Sequence, residues 1–216
     1  MKRIVAVLAL MSVFALPAAA ADVYYKAPVY KKYNWTGWYA GVDAGYFDGK
    51  TVNTPLTAGI FPNADLSGGY VGLNVGYRWH MANDWVYGLQ LNAPIYAKKQ
   101  RPVVAIAGQQ NGELNWALYG TGQIGKAYGR WLPYVEAGLG VADAEGLDQN
   151  SGITTSNTHF MYTLGLGVNY ALTDRITTGL KYQYIGTSKE RYPSGVSAAD
   201  WGFEMSLITF NLGYRF

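Results

Sequence analysis

The sequence predicts an all-β fold, an eight-stranded antiparallel β-barrel that crosses a membrane with its strands. Three observations carry that prediction. Large apolar residues alternate with small or polar ones along eight successive segments. The alternation is clearest at the carboxyl end, where Phe216, Tyr214, Leu212, Phe210 and Ile208 share one face and Arg215, Gly213, Asn211 and Thr209 share the other. The connections between segments are alternately short and long, as membrane barrels have them. The composition is aromatic-rich and charge-poor, with 19 Tyr, 7 Trp, 27 Gly and 14% charged residues, against roughly 25% charged in an ordinary soluble domain.

The amino end reads as a processed segment. Lys2 and Arg3 precede an apolar run over 4–16, and Pro17-Ala18-Ala19-Ala20-Ala21 forms a small-residue exit. This is the layout of a secretory signal peptide over 1–21, cut near Ala20 or Ala21. Lys2 and Arg3 supply two of the formal +3 charge, so the mature chain is close to neutral and gives no argument for nucleic acid. Past this segment no run of about 18 apolar residues exists that could span as a helix. Cys is absent, which excludes disulfides and thiolate metal sites. Residues 22–35 hold Tyr, Lys and Pro without sustained alternation, and read as a short periplasmic arm ahead of a barrel over 36–216.

Each segment is justified by parity. The first sets Trp38, Ala40, Val42, Ala44 and Tyr46 against Gly37, Tyr39, Gly41, Asp43 and Gly45. The second sets Val71, Leu73, Val75, Tyr77 and Trp79 against Gly72, Asn74, Gly76 and Arg78. The third sets Trp85, Tyr87, Leu89, Leu91 and Ala93 against Val86, Gly88, Gln90 and Asn92. The fourth sets Trp116, Leu118 and Ile124 against Asn115, Tyr119, Thr121 and Gln123. The fifth sets Val135, Ala137, Leu139 and Val141 against Tyr134, Glu136, Gly138 and Gly140. The sixth sets Phe160, Tyr162, Leu164, Leu166, Val168 and Tyr170 against Met161, Thr163, Gly165, Gly167 and Asn169. The seventh sets Ile176, Thr178, Leu180, Tyr182 and Tyr184 against Thr177, Gly179, Lys181 and Gln183, and the eighth is the terminal segment. About ten residues per strand, tilted about 40°, rise roughly 25 Å, the height of an outer-membrane apolar band. Residues 80–84, 127–130 and 173–175 read as periplasmic turns, and 47–68, 97–113, 142–158 and 187–202 as long outer loops.

The apolar face points to lipid. It carries Trp38, Tyr77, Trp79, Trp85, Tyr87, Trp131, Tyr170, Tyr214 and Phe216 at the strand ends that meet the short turns, and Tyr46, Trp116, Phe160, Tyr162 and Tyr184 at the other level. Two aromatic belts are what two membrane interfaces select, and an eight-stranded interior has no room for that many rings. The opposite face is expected to supply Asp43, Arg78, Glu136, Lys181, Glu204 and Arg215 to the lumen, three acids and three bases. Buried charge is tolerated when paired, so a lumenal ion-pair network is expected.

The runs Tyr33-Asn34-Trp35-Thr36-Gly37-Trp38-Tyr39 and Arg130-Trp131-Leu132-Pro133-Tyr134-Val135, with the terminal Tyr214-Arg215-Phe216, resemble the small outer-membrane β-barrel proteins of alphaproteobacteria, the "porin family" or outer-membrane β-barrel domain. The aromatic ending, Phe210, Leu212, Tyr214 and Phe216, resembles the sorting signal that the barrel-assembly machinery of Gram-negative bacteria reads. The resemblance implies a structural or surface-exposed envelope protein in the cell outer membrane, with hemin or host-surface contact through the loops in some relatives. It implies no catalytic residues.

The residues themselves point to no catalytic, metal or cofactor site. Gly120-Thr121-Gly122-Gln123-Ile124-Gly125 matches a dinucleotide fingerprint in letters, but lies within an alternating strand with no helix to follow. His80 falls in a turn and His159 near Ser151, Ser156 and Asp148 at an outer strand end, without the pairing a hydrolase needs. Lys98, Lys99 and Arg101 form a basic cluster at the start of an outer loop, suited to lipopolysaccharide phosphates. The expected role is structural, in envelope integrity, with outer-membrane lipids and lipopolysaccharide as surroundings. A small diffusion pore and a hemin or host-surface receptor are the alternatives, and the sequence leaves oligomeric state open. The mature polypeptide should therefore require surfactant and give a β-sheet circular dichroism spectrum. Free solubility in water, or a mainly helical spectrum, would refute the fold.

Overall fold

The computed structural model describes residues 32–55, 65–96, 110–148, 153–194 and 197–216. The signal segment over 1–21, the first part of the arm and the basic residues Lys98, Lys99 and Arg101 lie outside them. The described strands are β1 (Gly37–Pro55), β2 (Asp65–His80), β3 (Trp85–Tyr96), β4 (Gln110–Lys126), β5 (Trp131–Asp148), β6 (Ile153–Ala171), β7 (Ile176–Thr187), β8 (Glu190–Ser194) and β9 (Ser197–Arg215). Neighbours in the order β1 to β7, then β9, pair antiparallel, and β9 returns to pair with β1. This is a closed barrel with a wall of eight strands. The short β8 takes over from β7 along the same edge of β9, from Glu190↔Trp201 to Ser194↔Ser197.

Closure follows from the solvent. Hydrocarbon offers no hydrogen-bond partner to backbone N–H and C=O, so a sheet that spans it must have no free edge. The β1–β9 seam runs without interruption from Tyr39↔Arg215 to Pro55↔Ala199. The side chains then sort by parity. Trp38, Val42 and Tyr46 of β1, and Ile208, Phe210, Leu212 and Tyr214 of β9, stand exposed on the outside, while Tyr39, Asp43, Leu207 and Thr209 are buried within.

The turns on the periplasmic side are tight. Asp84 (φ 68°) and Gly129 (φ 62°) take the left-handed conformation that such reversals require. Tyr128 and Trp131 exchange both backbone hydrogen bonds around Gly129 and Arg130 (2.8 and 3.1 Å). Thr173 Oγ accepts from the N–H groups of Arg175 and Ile176 at 3.2 and 2.9 Å, closing the third turn.

On the other side the sequence reading falls short. Much of the expected outer loops is strand: β1 runs on to Pro55, β2 begins at Asp65, β4 at Gln110, β5 extends to Asp148, β6 begins at Ile153, and β8 and β9 form a hairpin beyond β7. The reason is visible where β1 and β9 leave the membrane. The outward pair Tyr46↔Ile208 is apolar, and the next outward pairs are Asp48↔Ser206 and Lys50↔Glu204. Above the lipid the ladder continues, but nothing selects for apolar outward residues, so the alternation that marks a strand disappears.

The interior is tight enough that glycine is required for close approach. A Cβ at Gly76 would lie 2.5 Å from the backbone oxygen of Leu89 and 2.5 Å from the Tyr39 hydroxyl, whereas one at the outward Gly122 would meet only Ala137 O at 4.0 Å. Gly76→Ala should lower stability by about 1–3 kcal/mol, and Gly122→Ala should leave it almost unchanged. Urea unfolding of the protein in micelles, followed by tryptophan fluorescence, measures both.

Candidate functional site: a lumen closed at both ends

The inward faces of β1, β3, β4, β5 and β7 contribute to one polar layer at mid-barrel. Glu136 of β5 and Lys181 of β7 form an ion pair, Nζ to Oε1 3.2 Å, with almost no solvent exposure of either side chain. The carboxylate is further satisfied by Gln123 of β4, which donates to Oε2 at 3.0 Å, and Gln183 of β7, which donates to Oε1 at 3.2 Å. Gln123 also donates to Gln90 Oε1 of β3 at 3.0 Å, and the Tyr39 hydroxyl of β1 donates to the same oxygen at 2.7 Å. Gln90 donates in turn to Asn92, and Asn92 reaches Thr121 Oγ1 at 3.4 Å. The Tyr119 hydroxyl donates to Gln183 Oε1 at 3.1 Å. One connected network thus links β1, β3, β4, β5 and β7 across the lumen.

Only part of the expected ionic arrangement forms. Asp43 faces the lumen and accepts from the Asn211 amide at 2.7 Å. Arg78 faces the lumen but lies over the Tyr39 ring, 4.0 Å from guanidinium carbon to centroid, and not against an acid. Arg215 has inward parity but sits at the periplasmic mouth, donating to the backbone oxygens of Asn34 and Asp174, the latter at 2.7 Å. Glu204 is a correction. It shares parity with Ser206 and Ile208, stands in register with Lys50, and so lies on the outer face beyond the lipid band. The β1–β9 ladder has no bulge between Glu204 and Arg215 that could change its face.

Above the polar layer, toward the outside, the inward positions turn apolar. Phe47, Tyr70, Tyr119, Met161, Ile185, Phe203, Met205 and Leu207 form one buried cluster with Ala117 and Ala142. The Tyr70 hydroxyl is hydrogen-bonded to Thr209, so its ring is fixed across β1. His159 is fully buried at this level, its Nδ1 3.0 Å from Ser188 O and its ring edge-on to Phe203 at 5.3 Å. Parity in β6, β7 and β9 already assigned Met161, Ile185, Met205 and Leu207 inward. Their apolar character is the signal that the polar-lumen expectation passed over.

Below the polar layer the last residues of the arm close the periplasmic mouth. Tyr33 and Trp35 are buried against Val86, Ala127, Leu132 and Ala171. Trp35 N–H donates to His80 Nδ1 at 3.3 Å, and His80 N–H donates to Thr36 Oγ1 at 2.9 Å. Arg215 and Arg130 lie over the Tyr33 ring at 4.8 and 5.8 Å. Lys32 pairs with Asp84, and this ammonium, with His80 beside it, holds the Asp84 carboxyl below the usual carboxylate range. The sequence reading placed Tyr33 and Trp35 in an arm outside the barrel. Two aromatics spaced two apart, directly before the first strand, were the available signal.

The outward aromatics lie where the belts require. Trp38 packs edge-on to Tyr77 at 5.3 Å and Tyr214 to Phe216 at 5.4 Å, while Tyr77 and Trp79 at 4.8 Å and Trp131 and Tyr170 at 4.6 Å meet at a tilt, all near the periplasmic turns.

Residues 6–216 match the sequence model of the outer membrane protein beta-barrel domain. The chain belongs to that family. It is 28% identical over 191 residues to a 22 kDa outer membrane protein of Rhizobium leguminosarum bv. viciae, covering 88% of this chain and 82% of that one. It is 26% identical over 228 residues to a 25 kDa outer-membrane immunogenic protein of Brucella canis, covering 100% and 99%. Among solved structures it resembles Neisserial surface protein A (16% identity, 84% of this chain and 98% of that one, TM-score 0.53) and OprG from Pseudomonas aeruginosa (14%, 85% and 97%, TM-score 0.51), likenesses of fold. The protein is thus an outer-membrane β-barrel of an alphaproteobacterial type, and the apolar outer face is its lipid face.

Breaking the buried pair should be costly because it leaves one charge uncompensated. Lys181→Met should destabilise by about 3–5 kcal/mol. Lys181→Met combined with Glu136→Gln, which removes both charges and keeps one of the two amide hydrogen bonds to this side chain, should be more stable than Lys181→Met alone. Unfolding midpoints in micelles compare the two; a double variant no better than the single one would show that charge compensation is not what holds this layer.

Proposed function

We propose that the protein is a closed barrel with a structural role in the envelope, presenting its strand extensions and loops outside the cell. The observation that carries this is the sequence of three layers in the lumen: arm aromatics at the periplasmic mouth, a hydrogen-bonded polar layer, and an apolar cluster toward the outside. An eight-stranded interior is just wide enough to be filled by side chains, and here those side chains interlock. The pore reading is weaker for that reason. The receptor reading is weaker where it depends on His159, since its ring is enclosed against Phe203. Relatives named as immunogenic outer-membrane proteins of Brucella support a surface-exposed position. No catalytic role is part of this reading. Insertion is taken to proceed through the terminal aromatic strand, with Phe216 read by the assembly machinery.

In planar bilayers the mature protein should give no sustained open steps of porin size; such steps would overturn the closed-barrel reading. A deletion strain should show raised detergent sensitivity and vesicle release, restored by the wild-type gene. Unchanged values for both would remove the structural role.

A further inference from the structure

His80 ends β2, and both nitrogens of its ring are engaged, with the side chain only 8% exposed. Nδ1 accepts from the backbone N–H of Trp35 at 3.3 Å, and Nε2 lies 3.3 Å from Asp84 Oδ1. An imidazole nitrogen that accepts a hydrogen bond carries no proton. While the arm is seated the ring is therefore neutral, with its one proton on Nε2 and directed at the carboxylate. Trp35 is 2% exposed, so its N–H has no water to turn to when that acceptor is lost.

The same carboxylate holds a second point of the arm, because Asp84 Oδ1 also pairs with Lys32. Adding a proton to His80 acts on both ties. Nδ1–H would face the Trp35 N–H, donor against donor. The imidazolium would also bind Asp84 more strongly through Nε2, in competition with Lys32 for one oxygen. The other groups around the ring do not undo this. Val86, in register with His80 on β3, is uncharged. Arg78, two residues back on β2, shares the inward face and lies over the Tyr39 and Trp35 rings. Arg130 pairs with Asp174, and Arg215 donates to the backbone oxygens of Asn34 and Asp174. Both guanidinium groups lie over the Tyr33 ring. Asp84 is the carboxylate in contact with the ring, and it favours the imidazolium at the expense of the arm.

We propose that His80 is an acid-sensitive catch for the arm: its neutral ring seats residues 32–36 in the periplasmic mouth, and its protonation loosens them. The unseated arm leaves His80 with one more proton. The seat is thus complete above the titration of the ring and is weakened as pH falls through it. One coupled proton shifts the equilibrium between seated and unseated arm by at most about tenfold per pH unit. The burial of Tyr33 and Trp35 does not titrate, so the change is confined to the arm and leaves the barrel wall intact. The inference rests on the closed periplasmic mouth and not on the role of the barrel in the envelope.

The chain has no Cys, so Asn34→Cys, at an exposed arm position, carries a single nitroxide in the mature protein folded in micelles. The label should be immobile at about pH 8, and a mobile component should grow severalfold as pH falls to about 5, the range in which imidazoles titrate. Return to the higher pH should abolish it. His80→Gln offers an amide oxygen to the Trp35 N–H but takes up no proton, and should keep the label immobile throughout. Should that variant not seat the arm, nitrogen-15 shifts of the wild-type imidazole, assigned by their loss in His80→Gln, decide. Nδ1 should be an unprotonated acceptor at the higher pH and gain its proton in step with the mobility of the label. A label indifferent to pH while the ring titrates would overturn the proposal. So would the same response in His80→Gln, or an Nδ1 that already carries a proton at the higher pH.

Discussion

The whole structure depends on backbone hydrogen bonds that must be completed without water. In hydrocarbon the seam between β1 and β9 is a requirement and not an embellishment, and its pairing runs unbroken from Tyr39↔Arg215 to Pro55↔Ala199. Once the sheet closes on eight strands, its diameter follows, and with it the space inside. That space is small. Tyr39 crosses Gly76 and Tyr134 crosses Gly167, each ring lying where a Cβ would collide. Inward glycines are therefore the complement of inward aromatics on neighbouring strands.

The filling of the lumen is ordered by depth. A polar layer built around Glu136 and Lys181 lies between an apolar cluster toward the outside and the Tyr33–Trp35 closure on the periplasmic side. Apolar layers above and below keep water away, which strengthens each hydrogen bond between them and penalises any left unmade. The Glu136 carboxylate meets this condition with one ammonium and two amides. Interlocking amides that run from Tyr39 to Gln183 tie distant strands together, so the layer also resists sliding of one strand past another.

This arrangement makes the arm part of the barrel. Residues 33–36 are held by His80, Arg215 and the ring contacts of Arg130, so the periplasmic end is closed by sequence that lies outside every strand. The aromatic belts seat the cylinder at both interfaces, and the strands continue past the outer belt, with Asp48, Lys50 and Glu204 on the outer face.

What the sequence determined by itself was the fold, the compartment and the facing of almost every membrane residue. A period of two in a strand leaves one assignment of sides, and lipid selects it strongly, as from Trp38 to Tyr46 and from Ile208 to Phe216. It determined that Glu136 and Lys181 point inward for the same reason. Only the tertiary structure decided which inward groups meet. Arg78 rests on Tyr39, Arg215 bonds to backbone carbonyls, and Glu204 lies outside, because partner choice depends on strand stagger and side-chain reach across a curved interior. The strand extensions above Tyr46 and the closure by Trp35 were likewise left to the structure. A backbone ladder in water needs no alternating pattern, and a two-residue stopper has too few residues to show one.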